Sequence, residues 1–145
     1  IKFKSNLKSS IIKWVEIIKT KNIAKEIEFV DGFKPNYGEE KLKQLSGSTH
    51  LRAVLSFHAA LFEQLIQCHQ NGFRFLILDT PGQHDISAVD LDFYITALKS
   101  LADKFDIQIV FSTTTYKYEA KGKDIDWLPT YFDEGFEQKM FMGKQ

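Results

Sequence analysis

Phe75-Leu76-Ile77-Leu78-Asp79-Thr80-Pro81 is a short apolar run closed by an aspartate, a hydroxyl and a proline. Read from Phe73 to Leu78, its near-continuous hydrophobicity suits a strand buried on both faces of a parallel sheet. The aspartate then stands at the carboxyl edge of that sheet, where nucleotide-binding α/β folds keep their ligands. Downstream, Ile107 to Phe111 reads as a second buried strand. Between the two, Leu91, Tyr94, Ile95, Leu98 and Leu101 recur at steps of three and four, marking a helix that opens near Asp85 or Ser87. Strand, helix and strand in that order predict a βαβ unit with parallel strands.

Upstream, Leu51, Val54, Leu55, His58, Leu61, Phe62, Leu65 and Ile66 form a helical stripe running from Thr49 until Asn71-Gly72 stops it. Leu7, Ile11, Trp14, Val15 and Ile18 predict an amphipathic helix over 6–20, capped by Asn6 or Ser5 and ended by Asn22. The alternation in Glu26-Ile27-Glu28-Phe29-Val30 predicts a half-buried strand. Asp31-Gly32 and Pro35-Asn36-Tyr37-Gly38 supply turn chemistry on either side of Phe33. Residues 117–126 read as an exposed loop, and Trp127-Leu128-Pro129 and Lys139-Met140-Phe141-Met142 as edge segments covering apolar surface.

With 145 residues, 43% of them hydrophobic, the chain suffices for one domain with a sizeable core. Nineteen basic residues against 19 acidic ones remove any argument for nucleic-acid binding from overall charge. The charge is uneven, however: residues 1–25 hold seven lysines against Glu16 alone, a net of +6 that leaves −6 for the rest. That excess is either a solvated helix face or a patch that tracks phosphates. The single Cys68 cannot form an internal disulfide, which fits a reducing cytoplasm. No targeting segment or membrane-spanning apolar run is present, and the opening Ile1 predicts a segment of something longer.

The run Gln44-Leu45-Ser46-Gly47-Ser48-Thr49-His50-Leu51-Arg52 opens the long helical stripe. It resembles the Leu-Ser-Gly-Gly signature loop of ABC-type ATPases, with Ser48 in place of the second glycine and Arg52 where that family commonly carries an arginine. Phe75 to Asp79 then resembles the Walker B strand. Gln108-Ile109-Val110-Phe111-Ser112-Thr113-Thr114 resembles the strand and switch of the structural-maintenance-of-chromosomes (SMC) branch. The three matches stand in the family's order across residues 26–115, with 1–25 as a leading helical segment and 116–145 as a tail packed on the core.

The resemblance implies the C-terminal lobe of a P-loop NTPase head of the ABC/SMC type: an α/β fold with a parallel sheet flanked by helices. Ser46, Gly47 and Ser48 would grip the γ-phosphate of ATP held by the opposite head, and Asp85 would stand near the D-loop position, one residue closer to Asp79 than usual. Asp79 would hold Mg²⁺ through water. A P-loop needs the frame G-x-x-x-x-G-K-[ST], and none of the eight glycines stands in it. The P-loop lobe must therefore come from elsewhere in the same chain or from a paired one. The further implied partners are a second head, forming a homodimer, and DNA; no membrane is implied.

Two departures touch the chemistry. The glutamate that follows the Walker B aspartate and acts as general base is Thr80 here, and a hydroxyl cannot take a proton as a carboxylate does. The switch histidine is replaced by Thr114, or by Thr113 if the register slips. Asp-Thr-Pro with a Ser-Thr ending also resembles SMC-like ATPases of bacterial DNA-modification and phage-defence systems. Gln83, as an orienter of water, and His84, titrating near neutrality, are the replacement candidates for catalysis.

Competing readings are a non-hydrolysing ATP-gated dimerisation or scaffold module on the same fold, and an unrelated α/β binding domain with accidental matches. A zinc site from His50, His58, Cys68 and His69 is disfavoured by their directions on the helix and by the absence of an H-E-x-x-H motif. A hydrolase triad of Ser46, His84 and Asp79 lacks the G-x-S-x-G elbow.

Overall fold

The computed structural model describes residues 2–68, 72, 74–79, 86–112 and 116–125. The two tail segments expected to cover apolar surface lie outside these. Three helices, α1 (Lys2–Ile17), α2 (Gly47–Cys68) and α3 (Ala88–Phe105), enclose a core shared with two small sheets.

Helix α1 buries Leu7, Ile11, Trp14 and Val15, with Ile18 just beyond its end. Its boundaries differ from the expected 6–20. It begins at Lys2, because Phe3 meets the Phe33 ring edge-on at 5.7 Å and gives the first turn a tertiary partner that no cap residue announces. It stops well before Asn22, because Thr20 N–H donates to Val15 O at 3.0 Å and Lys19 N–H to Glu16 O at 3.1 Å. That pair closes a Schellman motif in which Lys19, at φ 55°, takes the left-handed position usual for glycine.

The strand expected at 26–30 is β1 (Ile27–Val30), and it belongs to an antiparallel sheet with β2 (Lys34–Tyr37) and β3 (Glu40–Lys41) in the order β1-β2-β3. Asp31 and Gly32, both at positive φ, turn the first hairpin. Pro35 to Tyr37 is strand rather than turn. Gly38 N–H donates to Glu26 O at 2.7 Å, so Pro35 and Phe29 form a non-hydrogen-bonded pair in the alternating ladder. The proline's missing N–H therefore faces away from β1, beyond the reach of β3, which pairs only with Asn36 and Tyr37. The second turn falls at Gly38, whose φ is +62° and where a Cβ would come within 3.1 Å of Ala24.

On α2 the most buried residues include Ala53, Ser56, Ala59, Ala60 and Glu63, while Leu65 and His58 are exposed. The large apolar stripe is thus not the innermost face. Small side chains at helical spacing let α1 approach closely, and Tyr94 of α3 reaches across to donate its hydroxyl to Leu55 O at 3.1 Å. The Trp14 and Tyr94 rings meet edge-to-face at 5.6 Å. Glu63 faces α1 and accepts hydrogen bonds from Ser10 Oγ (2.7 Å), Trp14 Nε1 (2.9 Å) and Lys13 Nζ (2.5 Å).

Strands β4 (Phe75–Leu78) and β5 (Gln108–Phe111) pair in parallel, with Phe75 opposite Gln108 and Leu78 opposite Phe111. Helix α3 joins them, completing the strand–helix–strand unit read in the sequence. Ser87 is its N-cap, accepting from Asp90 N–H at 3.2 Å. Burial of the pair is one-sided among the described residues: Leu76, Leu78, Ile109 and Phe111 turn to the core, whereas Ile77 and Val110 are 64% and 46% exposed. No described helix is long and apolar enough to cross a membrane.

Candidate functional site

The carboxyl edge of the parallel pair is set by its register. Beyond the last strand pair, Ser112 N–H donates to Leu78 O at 3.0 Å and extends the ladder by one residue. Asp79 and Ser112 are thereby brought side by side, and Ser112 Oγ donates to Asp79 Oδ1 at 2.7 Å. Asp79 is exposed, and its Oδ2 has no partner among the described residues.

The signature-like turn lies at the start of α2. Gly47 is the first helical residue and has φ +52°, while a Cβ there would meet nothing within 4 Å. Glycine is favoured there by the sign of φ rather than by crowding, and the turn is open to solvent. Ser46 O accepts from His50 N–H at 3.3 Å, beginning the helical ladder. The hydroxyls of Ser46, exposed, and Ser48, half-buried, have no hydrogen-bond partner among the described residues. First-turn amides and free hydroxyls at a helix N-terminus are chemically an anion acceptor. Thr49 Oγ1 donates to Lys21 O at 3.4 Å, which brings the segment after α1, with Lys19 and Lys21, to this turn.

Arg52, in the second turn of α2, ties that helix to its neighbours. It is 9% exposed and donates to Ile18 O and, at 2.8 Å, to Asp90 Oδ2 in the first turn of α3. Burial pushes the Asp90 carboxyl up, but hydrogen bonds from Arg52 and Ser87 outweigh it and hold the group below the usual carboxylate range. The pair ties α2, five residues after Gly47, to the first turn of α3.

Of the residues read from the sequence, Ser46, Gly47, Ser48 and Asp79 are placed as above. Thr80, Gln83, His84, Asp85, Thr113 and Thr114 lie outside the described residues. Two contributors had no expected role: Ser112, whose place opposite Asp79 follows from strand register, and Asp90, whose partner is 38 residues away. Once the parallel pairing is known, Ser112 could be found by counting from Phe75 opposite Gln108.

Among the described residues no group of three or more His, Cys, Asp or Glu gathers. Mg²⁺ is commonly held by one or two carboxylates together with waters and substrate phosphates, and an exposed aspartate with one oxygen held and the other open fits that mode. No known protein family, curated protein or solved structure matches the chain.

Proposed function

We propose that this chain is the C-terminal lobe of an SMC-like ABC-type ATPase head, which binds and hydrolyses ATP in trans with a P-loop lobe supplied elsewhere. The observation that carries the reading is the Asp79–Ser112 pair at the carboxyl edge of β4 and β5. In this reading the α2 N-terminus meets the γ-phosphate of the opposite head, through amides and the Ser46 hydroxyl. Asp79 orients the water shell of Mg²⁺, which neutralises charge on the phosphate oxygens. Thr80 and Thr114 occupy the catalytic and sensing positions, Gln83 and His84 supply the water-orienting and proton-accepting groups, and Asp85 serves the D-loop. The mechanical output is pairing of two heads, on DNA, in the cytoplasm, within a DNA-modification or phage-defence system.

A second reading is favoured by one observation. Thr80 replaces the carboxylate that would activate water, so the head would pair on ATP without hydrolysing it and act as a gated scaffold.

The test is ATP turnover by the full-length protein, with and without DNA, comparing wild type with Ser46→Arg. A working composite site predicts loss of nearly all turnover on substitution, because a bulky cation replaces the hydroxyl at the phosphate. ATP binding without turnover in the wild type selects the scaffold. Turnover unchanged by Ser46→Arg overturns the placement of the signature.

A further inference from the structure

We infer that Ser112 is a positioning residue for Asp79, fixing the carboxylate so that Oδ2 faces the Mg²⁺–nucleotide complex; this rests on the function proposed above. Three observations carry it. The Ser112 backbone is pinned by its N–H to Leu78 O at 3.0 Å, so its Cβ is aimed by the sheet rather than by a loop. Its hydroxyl donates to Asp79 Oδ1 at 2.7 Å, which occupies one carboxylate oxygen and sets the rotation of the group. The other oxygen, Oδ2, has no partner among the described residues and lies on an exposed side chain.

An aspartate just past a strand end can rotate about its last torsion, and both oxygens compete equally for water. A hydroxyl from the neighbouring strand removes that freedom before the metal arrives. Partners of this kind, which orient a metal-binding group without touching the metal, typically change metal affinity by about 10-fold or more when removed.

The experiment measures affinity of the full-length protein for a fluorescent ATP analogue, first in EDTA and then with Mg²⁺, and takes the ratio of the two Kd values. Wild type, Ser112→Ala, Ser112→Thr and Asp79→Asn are compared. The inference expects a large ratio in the wild type, a ratio about 10-fold smaller in Ser112→Ala, and recovery in Ser112→Thr, which restores the hydroxyl. Equal ratios in the wild type and Ser112→Ala, with the ratio lost in Asp79→Asn, overturn the role of Ser112 and leave the nucleotide site standing. A wild type that binds no nucleotide, or binds it equally in EDTA and Mg²⁺, overturns the functional reading and this inference with it.

Discussion

Several positions depend on backbone conformations that residue type alone does not announce. Lys19, Asn22, Asp31 and Asp106 all take positive φ without being glycine. Asp106 closes α3 in the left-handed region (φ 51°, ψ 57°), where its N–H donates to Ala102 O. An L side chain there costs about 1 kcal/mol or more, and a negative charge beside the carbonyl end of a helix opposes the helix dipole. Asp106→Gly should therefore raise unfolding free energy by about 1 kcal/mol, read as a higher denaturant midpoint at unchanged slope. The Arg74 contacts to Phe105 O and Asp106 O at 3.0 and 3.3 Å use backbone acceptors and survive the change. The apolar run put Asp79 just past a strand, and β4 ends at Leu78; the helical stripe read from Thr49 begins two residues earlier, at Gly47. Ser112 is one Ser/Thr hydroxyl among four in a row, and only the strand register distinguishes it.

Among the elements, α2 shows how periodicity can find a helix and misjudge its inner face. Leucines and phenylalanines mark the stripe, yet Ala53, Ser56, Ala59 and Ala60 are fully or almost fully buried. Close approach of α1 sets that preference, and its strongest polar tie is Glu63. Burial pushes the Glu63 carboxyl up, but the hydrogen bonds from Lys13, Ser10 and Trp14 prevail and hold it below its ordinary value. Glu63→Ala leaves the buried Trp14 N–H and Ser10 hydroxyl without their acceptor and should cost about 3 kcal/mol. Lys13→Ala should cost about 1 kcal/mol or less, because that side chain is 48% exposed. Chemical denaturation of both variants checks the contrast; equal losses would mean that the ion pair, rather than the carboxylate as acceptor, joins the helices.

For the molecule as a whole, acidic groups on different elements share one sign of shift. Glu63 joins α2 to α1, Asp90 joins α3 to α2, and Asp124 joins the 116–125 segment to α3 through Lys99 while accepting from Tyr118 of its own segment. Lys99 and Tyr118 bring the Asp124 carboxyl down to about 2. Each folded pKa lies below the unfolded one, so each contribution is fully present above about pH 5 and disappears as pH falls through the folded values. Denaturant midpoints should decline as pH falls from about 5 toward 2; Asp124→Asn should flatten the lowest part of that decline. A midpoint that rises on acidification would contradict the shared sign. The chain's own periodicity and punctuation marked its helices, β1 and the β4–α3–β5 unit, because these are local: repeats of 3.6, apolar runs, and turn residues within a few positions of one another. Long-range geometry supplied the rest. The antiparallel sheet that absorbs Pro35, the alanine face of α2, the Glu63 clamp, and the meeting of Asp79 with Ser112 all join residues far apart in the chain, and such contacts arise from strand register and helix approach, which residue type and spacing do not encode.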